Sequence, residues 1–228
     1  MISIVDKRIP DTAKEKLSKF GNVIPIYTEG IVYDAIKGHP DLFFCKTDDK
    51  LIVAPNLPAK YFNILKNENI PFIKGEKPVD DMYPYTAHYN TVISKSYFIH
   101  NKKVTDPVLL NTTKDKQYIH VNQAYTRCSL LPLRDDKFIT SDMGIYNILQ
   151  KNGLEVHWFS PEGISLPGFI HGFLGGALGI MENNIFILGS LSKYKSGNQL
   201  RELLEKYGYQ ITELYDGPLL DGGSIIFF

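Results

Sequence analysis

The feature that most constrains this chain is an order of elements that recurs along its 228 residues: strand, tight turn, strand, helix, strand. Asp41-Leu-Phe-Phe-Cys-Lys-Thr47 is followed by a turn at Asp48-Asp49, then by Lys50-Leu-Ile-Val-Ala54, a helical stretch and Ile70-Pro-Phe-Ile73. Short apolar runs rich in β-branched and aromatic residues, bounded by turn formers, read as strands. The same order returns with Tyr125 to Leu133, the turn Arg134-Asp-Asp136, Lys137 to Thr140, a helix opened by Ser141-Asp142, and Leu154 to Phe159. Another copy runs from Phe173 through Glu182-Asn-Asn184 to Ile185-Phe-Ile-Leu188, a helix near Asn198 to Tyr207, and Tyr209 to Leu214. That helix carries Leu200, Leu203 and Leu204 on one face and is closed by Gly208. A less regular copy pairs Thr91-Val-Ile-Ser94 with Tyr97-Phe-Ile-His100, starts a short helix at Thr105-Asp-Pro107 and ends on Tyr118-Ile-His-Val121.

A fifth copy emerges only when the termini are joined. Ser224 to Phe228 and Ile2 to Val5 supply its strands, Asp11 to Phe20 its helix with Gly21 beyond the end, and Val23 to Ile26 its last strand. A final strand that completes a unit begun by the first residues closes a ring without a free sheet edge. The expected fold is therefore α/β: five ββαβ units with pseudo-fivefold symmetry, closed by the N- and C-terminal strands, in a single domain over residues 1–228. This length is ample for one core. Equivalent positions of such a ring face a common axis, so a ligand site is expected in a central funnel.

Charge excludes several partners. Lys plus Arg and Asp plus Glu number 25 each, so no basic field points to nucleic acid and no acidic tail to disorder. Gly163 to Met181 contains no formally charged residue, but Pro167, His171 and its glycines make it a strand and glycine loop rather than a membrane span. Two cysteines and a start, Met1-Ile-Ser-Ile-Val-Asp-Lys7, that resembles neither signal nor transit peptide suit a reducing cytoplasm. The oligomeric state is not readable.

Three segments share a pattern, His39-Pro-Asp41, His88-Tyr-Asn90 and His120-Val-Asn122, each a histidine with an acid or amide two residues on. In a ring these groups would converge at the axis. Alternatively Asp41, Asn90 and Asn122 cap turns and the histidines lie on the surface; the two readings balance for the first segment, and capping is favoured for the other two. Gly175-Gly176 and Gly222-Gly223 open strands, where they serve either close backbone approach to a ligand or tight packing alone. Glu162, Asp216 and Asp221 are acids that could receive a cation. The six histidines include no i, i+4 pair and the cysteines are far apart, so no metal site is expected, nor a cofactor. Gly175-Gly-Ala-Leu-Gly179 lacks the Lys-Ser that completes a phosphate loop.

The repeat resembles, over essentially the whole chain, the pentein fold, the five-bladed β/α-propeller of guanidino-group-modifying enzymes such as arginine deiminases, amidinotransferases and dimethylarginine dimethylaminohydrolases. It is also similar to an uncharacterised bacterial family with that fold, whose members carry segments like Asn122-Gln-Ala-Tyr-Thr-Arg-Cys-Ser129, Gly168 to Gly179, and Asp216-Gly-Pro-Leu-Leu-Asp-Gly-Gly-Ser-Ile-Ile226. The resemblance implies a cysteine nucleophile, a histidine acid/base and carboxylates that clamp a guanidinium. His39-Pro-Asp41 resembles the deiminases' catalytic His-x-Asp segment, and Arg127-Cys-Ser-Leu-Leu-Pro-Leu133 their nucleophile strand. Those enzymes, however, place the nucleophile in the terminal strand, where this chain has Gly222-Gly-Ser224. Two readings follow. Local similarity gives a permuted site of Cys128 with His39 or His88; chain order gives His171 as the histidine, Asp41 as an acid and no nucleophile, Ser224 being a poor substitute for a thiolate. Cys45, between Phe44 and Lys46 on a strand, reads as structural. The corresponding functions are a Cys-dependent guanidine or amidine hydrolase or transferase, and a ligand-binding or assembly protein that kept the ring without the nucleophile.

Overall fold

The computed structural model describes all 228 residues. Its strands fall into five three-stranded sheets of one design and a two-stranded accessory pair. In each of the five, the middle strand runs antiparallel to one neighbour through a short turn or a terminus. It runs parallel to the other neighbour through a helix, the crossover that parallel pairing requires. The first in chain order joins β1 (Ile2–Asp6), α1 (Asp11–Ser18) and β2 (Asn22–Ile26). The next has β3 (Phe44–Lys46), β4 (Leu51–Val53), α2 (Ala59–Asn67) and β5 (Phe72–Lys74). The third has β6 (Val92–Ile93), β7 (Tyr97–His100), α3 (Pro107–Thr112) and β8 (Gln117–His120). A one-turn helix α4 (Thr126–Ser129) leads into β9 (Leu130–Pro132), β10 (Phe138–Thr140), α5 (Met143–Lys151) and β11 (Val156–Trp158). After β12 (Ile164–Ser165) come β13 (Leu178–Met181), β14 (Asn184–Ile187), α6 (Gly197–Lys206) and β15 (Gln210–Glu213). Finally β16 (Leu219–Leu220) pairs with β12, and β17 (Ile226–Phe227) returns to β1, where Ser3 faces Phe227 and Ile4 faces Ile226. The first and last residues thus share one sheet, as the spacing of apolar runs predicts.

Local chemistry explains the helices. Asp142 caps α5 by accepting from the Ile145 N–H at 2.8 Å, and Asp106 caps α3 from Val108 at 2.8 Å with Pro107 in the first position, where its missing N–H costs nothing. Each helix buries an apolar stripe against its own sheet; Tyr61, Phe62 and Leu65 of α2 pack among Phe43, Phe44, Leu51 and Ile52, for example. No helix is long and apolar enough to cross a membrane.

The structure corrects the sequence reading at the unit openings. Asp41 to Thr47 and Tyr125 to Leu133 read as continuous strands, but each begins with one helical turn, Pro40–Leu42 and Thr126–Ser129, and only then extends. Gly175–Ala177 makes a similar turn ahead of β13. The cause is local: Pro40 pre-sets a helical φ, and the Asn90 side chain accepts from the backbone N–H groups of Arg127 at 2.7 Å and Cys128 at 3.2 Å, holding the Cys128 turn closed. Turns of this kind aim side chains inward that a strand would have alternated between two faces.

Candidate functional site

Four unit openings deliver one polar cluster. The Cys128 thiol donates to Asp41 Oδ2 at 2.9 Å, and Ser224 Oγ donates to the same oxygen at 2.7 Å. Asn90 Nδ2 donates to Cys128 Sγ at 3.3 Å. His39 Nδ1 lies 3.9 Å from Asp221 Oδ1, while the Asp221 oxygens accept the backbone N–H groups of Phe173 at 2.9 Å and Gly223 at 3.1 Å. All six side chains are buried, and two of their atoms, His39 Nε2 and Asp41 Oδ1, have no hydrogen-bond partner. Buried polar atoms are nearly always paired, so these two mark where a ligand would be received. His100 shows the contrast: it is as buried, yet both its nitrogens are paired, with Thr105 Oγ1 at 2.7 Å and the Ala124 carbonyl at 3.0 Å.

Glycines make room for this cluster. A Cβ on Gly176 would stand 1.9 Å from Asp221 Oδ1, and one on Gly223, whose φ of 68° already favours glycine, would stand 2.3 Å from His39 Cβ. Both glycine pairs therefore serve close packing against the site's own carboxylate and imidazole.

Cavities lie on both sides of Cys128. One, of about 430 Å³, is lined by His39, Cys128, His171 and Asp221 beneath a wall of aromatic and aliphatic residues. The other, of about 350 Å³, is lined by Asp41, Cys45 and Arg127 and by Phe44 of β3, Ile93 of β6, Leu131 of β9, Ile180 of β13 and Phe227 of β17, one strand from each of the five sheets. Arg127 is tied to the Gly175 carbonyl at 2.9 Å and the Leu178 carbonyl at 3.1 Å. Burial draws its guanidinium below the ordinary value, opposed by the attraction of Asp41 and Cys128. Cys45 sits 3.0 Å from Thr91 Oγ1, and burial pushes its thiol up to about 12.

Burial pushes the Cys128 thiol well above its ordinary value, and the Asp41 and Asp221 carboxylates push in the same direction. Burial likewise raises Asp221, while His39 pulls it down. The resting site thus holds a neutral thiol. Since only the thiolate attacks, iodoacetamide at pH 8 should alkylate Cys128 in the folded protein at least ten times more slowly than in the urea-unfolded chain, whose thiols titrate near about 8.5. The folded rate should still be climbing above pH 9. Equal rates, or a plateau below pH 8, would show a stabilised thiolate instead.

Not every residue singled out from the sequence joins the cluster. His171 reaches the first cavity, its Nδ1 bound to the Gly172 carbonyl at 3.0 Å. His88 turns away to the Val104 carbonyl at 2.6 Å, and its burial lowers its pKa. His120 and Asn122 are exposed at the end of β8; the His120 ring accepts from the Lys102 N–H and the Asn122 carbonyl from Asn101. The His-x-Asn spacing fails there because it falls at the end of a third strand, and the next opening begins only at Thr126. Glu162 and Asp216 lie on the surface near Lys195 and Lys193. Within the cluster Asn90 carries more than its capping pattern implied, and Arg127, beside it in the other cavity, is legible only as the neighbour of Cys128.

A metal-capable set exists that spacing could not reveal. One donor atom each from His39, Asp41 and Cys128 lies within 4.8 Å of the others, from segments far apart in the chain. Imidazole, carboxylate and a cysteine sulfur suit a borderline divalent ion such as zinc.

A family described only as one of unknown function, DUF6873, matches residues 4–226. The chain belongs to that family. No curated protein matches the sequence. Among solved structures, SxtG, an amidinotransferase from Microseira wollei in the saxitoxin biosynthetic pathway, superposes with a TM-score of 0.55 at 13% identity, covering 90% of this chain and 78% of its own. A DDAH from Pseudomonas aeruginosa, in a mutant form complexed with citrulline, matches with a TM-score of 0.54 at 8% identity, covering 89% and 78%. A dimethylarginine dimethylaminohydrolase adduct with 4-chloro-2-hydroxymethylpyridine matches with a TM-score of 0.56 at 8% identity, covering 93% and 91%. The family member therefore shares the pentein fold of guanidino-modifying enzymes.

Proposed function

We propose that the five sheets form a five-bladed β/α-propeller with pseudo-fivefold symmetry in one domain over residues 1–228, and that its axial funnel binds a guanidine or amidine small molecule for Cys-dependent hydrolysis or group transfer. The ring is supported by the pairing of β17 with β1 and by the cavity that takes residues from all five first strands. The observation that carries the chemistry is Cys128, hydrogen-bonded to Asp41 and Asn90 beside His39 at the floor of a 430 Å³ cavity. Two buried free cysteines suit a reducing compartment.

In this reading Asp221 and the unpartnered Asp41 Oδ1 take the N–H groups of the planar cation. Its positive charge offsets the two carboxylates and lowers the cost of forming the thiolate. The thiol proton passes to His39 Nε2, sulfur bonds to the central carbon, and a C=N electron pair moves onto nitrogen. As the pair returns, the C–N bond to the leaving group breaks and its nitrogen takes the proton from His39. Water then adds to the S-amidino carbon, giving its proton to His39. The hydroxyl proton passes to solvent as the urea C=O forms, the C–S bond breaks, and sulfur leaves with the electron pair and recovers the proton held by His39. An incoming amine in place of water makes the reaction an amidino transfer.

The second reading, a ligand-binding or assembly protein without catalysis, is favoured by the raised Cys128 thiol. Acid-quenching the protein during incubation with simple guanidines separates the two. Intact-protein and peptide mass spectra are expected to show an amidino group on Cys128 and a urea or exchanged guanidine in solution. Bound guanidine with neither adduct nor product would leave the binding protein.

A further inference from the structure

The first cavity combines a carboxylate with aromatic walls. Its lining contains no lysine or arginine; the one formal charge among its non-histidine residues is that of Asp221, with Asp41 just behind Cys128. Arg127, next to Cys128 in the chain, lines the other cavity, and two of its guanidinium nitrogens are occupied by the Gly175 and Leu178 carbonyls. Of the polar side chains in the walls, Gln123, Tyr33 and Tyr125 are already engaged, which leaves the His39 and His171 rings at the head of the cavity. Gln123 donates to Asp142 at 3.1 Å and accepts from the Tyr125 N–H at 3.0 Å, and Tyr33, Tyr125 and Thr86 hydroxyls form a chain of 3.0 and 2.6 Å contacts. Above the floor the walls are aromatic: Tyr33 packs on Phe169 at 6.0 Å between ring centroids, Tyr83 on Tyr125 at 5.3 Å, and Phe173 and Leu166 complete the sides. Phe169 and Ile170 stand exposed at 52% and 102% and form an apolar rim to the cavity.

From this lining we infer that the ligand is a guanidine or amidine carried on an apolar or aromatic body with no carboxylate, held by carboxylates at the head and by aromatic faces along the body. Aromatic faces attract a desolvated cation as well as an apolar chain, whereas a carboxylate on the ligand's body would lose its water against these walls without meeting a lysine or arginine. The inference rests on the proposed guanidinium site and names its substrate class.

Calorimetric titration of the full chain with butylguanidine, phenethylguanidine and L-arginine tests it. Butylguanidine is expected to bind at least ten times more tightly than L-arginine, and phenethylguanidine more tightly again. A Phe169→Ala protein, altered only at the exposed rim, should lose about fivefold for phenethylguanidine and less for butylguanidine. L-arginine binding as well as or better than butylguanidine would overturn the inference while leaving the guanidinium site standing. Failure of all three to bind would overturn the site itself.

Discussion

An Arg127→Met protein is expected to lose about 3 kcal/mol of unfolding free energy, read as a lower urea midpoint at unchanged slope. Methionine keeps much of the side-chain volume but strips the Gly175 and Leu178 carbonyls of their donors. It also removes the nearby positive charge that attracts Asp41, a buried residue whose Oδ1 already lacks a partner. The two carbonyls set the size, since a buried acceptor left without its donor costs about 1–3 kcal/mol. Arg127→Lys should fall between, because a lysine restores the charge and cannot span two carbonyls in a fixed fork. A change within about 0.5 kcal/mol of wild type for Arg127→Met would mean that the guanidinium bonds to the Gly175 and Leu178 carbonyls add nothing net to stability.

Cys128→Ala is expected to reduce guanidine turnover by a factor on the order of 10⁴ or more, the usual consequence of removing a covalent nucleophile. Guanidine binding should survive, since Asp41 and Asp221 remain. Ser224→Ala is the informative companion. Both Cys128 and Ser224 donate to Asp41 Oδ2, so the position that local similarity marks and the one that chain order marks lie on the same carboxylate. Removing the serine hydroxyl should lower turnover by no more than about tenfold, the cost of one hydrogen bond to an acceptor that keeps another. If Ser224→Ala abolished turnover and Cys128→Ala did not, the nucleophile would be the terminal-strand hydroxyl.

The two candidate nucleophile positions were separately visible in the sequence, but their meeting was not. Ser224 and Asp41 are 183 residues apart, Cys128 and Asp41 87 apart. Nothing in spacing alone says that one carboxylate oxygen serves both. The same holds for the metal-capable set of His39, Asp41 and Cys128. The pattern shared by the three His-x-Asp or His-x-Asn segments left site and cap evenly balanced for the first and favoured a cap for the other two; the structure keeps His39, Asp41 and Asn90, sends His88 to a backbone carbonyl and leaves His120 and Asn122 in solvent. Strand readings at Asp41 and Tyr125 missed the helical turns because an apolar run bounded by turn formers carries no period over four residues.

The sequence by itself determined the order of elements, including the unit shared by Ile2–Asp6 and Ile226–Phe227, because hydrophobic period, caps such as Asp106-Pro107 and turn residues act over a few positions and each unit repeats them. It also determined a formal net charge of zero, with 25 basic and 25 acidic residues. Only the tertiary structure decided which polar residues form the site. That choice depends on which turn a side chain leaves and on how closely two openings approach, as Gly176 allows against Asp221 and Gly223 against His39. Those distances arise from packing between distant segments, and no local pattern encodes them.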